Sequence, residues 1–63
     1  MLEKYPLRDE PGKTMFVFNK FGKFYGHIVK DKTAKDPAKF IFETNRYDSL
    51  EQMKTDYPES NSP

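Results

Sequence analysis

The chain has 63 residues, one third of them charged and 16% aromatic, with a formal net charge of +1. That length supports one small domain whose core is barely large enough to hold a fold. The absence of cysteine excludes disulfide staples, and with a single histidine no zinc or other metal site and no cofactor is expected.

No apolar run approaches the length of a membrane span or a secretory leader, and Met1, Leu2, Glu3 and Lys4 read as a mature soluble terminus. The cytoplasm is therefore the expected location, and a membrane is not an expected partner. The small net charge hides an uneven distribution. Between positions 13 and 39 seven lysines stand against Asp31 and Asp36, a surplus of +5. From Phe40 onward Arg46 and Lys54 face five carboxylates. A basic sheet end and an acidic helix end are expected.

Residues 1–13 form an extended amino-terminal segment that carries Leu2, Tyr5 and Leu7 between breakers at Pro6 and at Pro11 and Gly12. Proline at position 6 argues against a helix interior, leaving an extended or irregular path, or an edge strand along the sheet. Gly12, Lys13 and Thr14 resemble the end of a phosphate-binding loop only superficially. Leu7 stands where that motif needs its first glycine, and a strand rather than a helix follows.

Residues 14–30 form a hairpin about Asn19, Lys20, Phe21 and Gly22. A type I turn with Gly22 left-handed pairs Asn19 with Lys23, so that Phe18 faces Phe24, Val17 faces Tyr25, Phe16 faces Gly26 and Met15 faces His27. Alternation then puts Phe16, Phe18, Phe24 and Ile28 on one face around a gap at Gly26. Met15, Val17, Tyr25, His27 and Val29 take the other. Residues 31–38 are a polar connector, and residues 39–44 read as a third strand.

Asp48 with Glu51 three positions on matches a capping box, and Leu50, Met53 and Tyr57 follow at helical spacing as a single stripe. Pro58 ends the helix, and residues 58–63 read as a disordered tail. The fold class expected is α+β: a small three-stranded antiparallel sheet in β-β-β-α order over residues 14–57, with one C-terminal helix packed on one face. The helix stripe should cover the phenylalanine face, joined there by Phe40 and Phe42. Met15, Val17, Tyr25, His27, Val29 and Ile41 are then left on the opposite face unless Leu2, Tyr5 and Leu7 fold over it.

The strand order over residues 14–57 is similar, in topology alone, to the sheet-reading DNA-binding domains of some tyrosine recombinases and to plant AP2-type domains. That similarity implies a sheet face laid against nucleic acid. The sheet carries lysines but no arginine, the commonest direct reader of guanine, so base-specific reading is not implied.

No nucleophile with a nearby base and no pair of acids suggests an active site, so the chain reads as a non-enzymatic binding module. Its leading partner is nucleic acid, met through Lys20, Lys23, Tyr25, His27, Lys30 and Lys39, with the lysines on phosphates and the rings stacking or wedging. The alternative is a protein-interaction factor, an adaptor or an inhibitor of a larger protein, using the same apolar face or the acidic helix. A monomer or a weak homo-oligomer joined at a sheet edge is expected. The plainer account of the lysines is that they keep an exposed sheet soluble and guard its edges.

Overall fold

The computed structural model describes residues 1–60. The elements in chain order are β1 (Glu3–Pro6), β2 (Lys13–Lys20), β3 (Lys23–Lys30), β4 (Lys39–Glu43) and α1 (Leu50–Asp56). The strands form one antiparallel sheet in the order β1-β2-β3-β4, with α1 against it. The class is α+β as expected, but the sheet has four strands rather than three. The amino-terminal segment supplies the extra one, pairing Lys4 with Phe16 and Tyr5 with Met15. Pro6 is tolerated because β1 is an edge strand, where a missing ladder donor can face away from the sheet.

The β2-β3 hairpin is one residue tighter than the sequence suggests. Lys20 pairs directly with Lys23, leaving Phe21 and Gly22 as a two-residue turn in which both residues have positive φ (53° and 77°). That is the type I′ pattern, whose twist matches the right-handed twist of the flanking strands. The consequence runs the length of the sheet. Phe18 now faces Tyr25, Phe16 faces His27, Val17 faces Gly26 and Met15 faces Ile28. The expected cover of phenylalanines over the helix face is therefore corrected: Met15, Val17, Gly26 and Ile28 are buried on the helix side, while Phe16 and Phe18 join Tyr25 and His27 on the other.

The core is Tyr5, Leu7, Met15, Val17, Ile28 and Met53, all buried, with Phe24, Tyr47, Leu50 and Tyr57 packed partly against it. Gly26 makes the packing possible: a methyl group built there would collide with the Met15 sulfur. Tyr5 and Leu7 complete this core rather than covering Tyr25 and His27, and Leu2 is exposed. Next to β4 the register shifts between Ile28 and Val29, so that Ile41 is an extra residue between Phe40 and Phe42. This bulge separates two side chains expected together. Phe40 meets His27 on the outer face, whereas Phe42 approaches Tyr57 on the helix side.

The helix stripe of Leu50, Met53 and Tyr57 packs as its spacing predicts. Its N-cap, however, is Ser49 rather than Asp48: the Ser49 hydroxyl accepts from the Gln52 amide at 3.2 Å, and the Gln52 side chain accepts from the Asp48 amide at 3.1 Å. The capping pair is thus Ser-x-x-Gln, one step along from the acidic pair. Beyond the helix, Pro58, Glu59 and Ser60 do not leave the molecule. The Pro58 carbonyl accepts from Arg8, Glu59 bridges Leu7, and the Ser60 amide donates to the Pro6 carbonyl at 2.9 Å. The rest of the expected disordered tail, residues 61–63, lies outside the described residues.

Candidate nucleic-acid interface

Alternation along the two central strands decides what the outer face presents. From β2 it takes Thr14, Phe16, Phe18 and Lys20, and from β3 Lys23, Tyr25, His27 and Val29. Rings therefore occupy the middle of the hairpin, and lysines sit at its turn end. The rings touch. Phe18 and Tyr25 are stacked with centroids 5.5 Å apart, Phe18 and His27 are 4.7 Å apart, and Phe40 meets His27 edge-on at 5.3 Å. Cross-strand aromatic pairs of this kind stabilise a sheet by roughly 0.2–1 kcal/mol each.

Cations rim this cluster. The Arg46 guanidinium lies 6.0 Å from the Tyr25 ring centroid, and Lys4 is the β1 neighbour of Phe16. The Lys20 ammonium lies 5.5 Å from the Phe21 ring, and Lys23 pairs with Asp48 across the surface. Nε2 of His27 sits 2.9 Å from Oε1 of Glu43, its β4 partner. Both contacts are solvent-accessible, so the Lys23–Asp48 pair is a weak competitor for the Lys23 ammonium.

Of the residues predicted from sequence, Lys20, Lys23, Tyr25 and His27 share this face. Lys30 and Lys39 do not. They pair with each other at the far end of β3 and β4, in step with Ile28 on the helix side. Sequence reasoning missed Phe16, Phe18, Phe40 and Arg46 as parts of this face. The signal that would have placed the first two was the two-residue turn at Phe21 and Gly22, and Arg46 carries none, since its loop must first fold back. Tyr25 and His27 are half-buried against their neighbours, so the widest apolar exposure lies elsewhere. It is at Phe21 (88%), at Met1 and Leu2, and along β4 at Phe40, Ile41 and Phe42.

On the helix side, α1 carries Glu51 and Asp56. Tyr47 donates to Asp56 at 2.8 Å, and burial together with that carboxylate pushes its phenol up to about 12. A shallow pocket is lined there by Tyr47, Gln52, Thr55 and Asp56. Among the described residues no group of three or more His, Cys, Asp or Glu side chains could hold a metal ion, and no helix is long and apolar enough to cross a membrane. No family model matches the chain, and neither a curated protein nor a solved structure matches it.

Proposed function

We propose that the protein is a small non-enzymatic module that binds nucleic acid through the outer face of its sheet. The observation that supports this reading is the gathering of Phe16, Phe18, Tyr25, His27 and Phe40 on one face, with Lys4, Lys20, Lys23 and Arg46 around them. The cations neutralise phosphates, and the rings give bases or sugars an apolar surface. Lys30 and Lys39 lie on the opposite side and are left out of this contact. The test is a salt titration with a labelled oligonucleotide. Three or four phosphate contacts give a slope of roughly −2 to −3 in log affinity against log salt. Absence of binding at low salt would overturn the reading.

One observation favours a second reading, that of a protein-interaction factor. β4 is exposed along its whole length and presents Phe40, Ile41 and Phe42 at a sheet edge. A partner strand could pair there, although the bulge at Ile41 works against a long regular ladder. Amide shift mapping separates the two. Perturbation confined to β4 on adding a protein partner, with no response to oligonucleotide, would select it.

A further inference from the structure

Phe21 is placed where folding gains least from a phenylalanine. It occupies the first position of the two-residue turn with φ 53°, and it is the one non-glycine residue at positive φ among those described. Turns of this type favour Asn, Asp or Gly at that position, and a bulky residue there is a backbone outlier. Its ring is 88% exposed, more than any other large apolar side chain described. The Lys20 ammonium lies 5.5 Å from the ring centroid, and at 88% exposure the rest of the ring is open to a ligand. The eight-residue strands of the hairpin hold it at a fixed apex, between Lys20 and Lys23.

We infer that Phe21 is a stacking residue that receives an unpaired base of a single-stranded nucleic acid, while Lys20 and Lys23 meet the flanking phosphates. The inference rests on the reading above and adds the strandedness of the ligand and the residue that detects it. A flat ring flanked by ammonium groups matches a base flanked by phosphates, because every base offers a π face. A protein pocket fits less well, since lysine is depleted where protein interfaces are tightest. A bilayer fits less well too, because one ring carries far less apolar area than the acyl chain that by itself anchors only marginally. In a duplex the ring would have to unstack a base step, a cost that wedging proteins recover by wrapping bent DNA over a broad surface. At the turn only Lys20 and Lys23 flank the ring to hold such a bend.

The test compares Phe21→Asn, Phe21→Leu and Phe21→Trp for binding to a labelled single-stranded oligonucleotide and to its duplex. Asn suits the turn, so Phe21→Asn should melt higher than the parent while binding the single strand about 5- to 100-fold more weakly. Its salt slope should be unchanged, because no phosphate contact is removed. Trp should retain binding. Leu, which keeps apolar bulk without a π face, should lose it as Asn does. Full binding by Phe21→Asn or Phe21→Leu overturns the inference and leaves the nucleic-acid reading standing. Equal, Phe21-dependent binding to the duplex overturns the unpaired base. Sedimentation of the parent with phosphatidylserine vesicles, lost in Phe21→Asn, would overturn it in favour of lipid. A parent that binds no oligonucleotide removes both.

Discussion

Gly26 and Thr44 show how much of this fold hangs on two small side chains. Gly26 sits in the middle of β3 under the Met15 sulfur, with the Phe16 carbonyl 3.3 Å from where a Cβ would stand. Gly26→Ala should therefore cost about 1–3 kcal/mol by overpacking, read from urea unfolding. In a Met15→Ala background the same change should cost less, and strictly additive costs would show that the two side chains do not compete for this space. Thr44 is the one buried polar residue described, at 6% exposure, and its hydroxyl accepts from the Gly26 amide at 2.9 Å and donates to the Asn45 carbonyl. Thr44→Val keeps the shape and strands the Gly26 amide, for a loss of about 1–3 kcal/mol, whereas Thr44→Ser should recover most of it. The gap at Gly26 was legible in the sequence as a site of close approach. Thr44 was not, because a threonine at a strand end announces no partner until the chain beyond it turns back along β3.

Between elements, the register of one hairpin carried most of what the sequence left open. The strands, the turn and the helix stripe are all visible as patterns of alternation and of helical spacing, since those periods follow from local geometry. Which face each strand presents is not local. Phe21 and Gly22 form the turn with Phe at a position that normally takes Asn or Gly, and a turn one residue longer exchanges Phe16 and Phe18 with Met15 and Val17. The bulge at Ile41 has the same character: Phe40 and Phe42 alternate in sequence yet end on opposite faces. Tyr25 and His27 nevertheless look away from the helix, as expected, because their strand keeps its own alternation. The helix itself is short and is fastened by Met53, which is fully buried among the strands' apolar side chains. Met53→Ala should cost about 2–5 kcal/mol, enough to unfold a domain of this size, and Ser49→Ala about 1 kcal/mol through the lost cap. Melting curves of the two variants check this ordering, and an unaffected Met53→Ala would mean the helix is not part of the cooperative unit.

The sheet closes where β1 and the residues after it meet residues 57–60, and that closure is titratable. Tyr5 is buried under α1 and donates to the Tyr57 carbonyl at 2.8 Å, while Arg8, Leu7 and Pro6 tie down residues 58–60. Burial, and behind it the charges of Glu3 and Glu59, push the Tyr5 phenol up to about 12 from an ordinary value of 10. Lys54 lies 5.1 Å from the Tyr5 ring centroid and is held charged above its ordinary range, chiefly by its bond to Glu3 at 3.0 Å. Both groups bind their protons more tightly folded than unfolded. Their contribution is therefore complete below about pH 10 and is lost as the pH rises through the folded value of Tyr5 near 12. Urea midpoints should fall between pH 10 and about 12, with phenolate absorbance appearing together with the loss of structure. Tyr5→Phe starts less stable, having left the Tyr57 carbonyl without its donor, but should fall less steeply over that interval. An unchanged slope in Tyr5→Phe would assign the alkaline transition to Tyr47 and Lys54, and would place the seal between β1 and residues 57–60 outside the group that titrates.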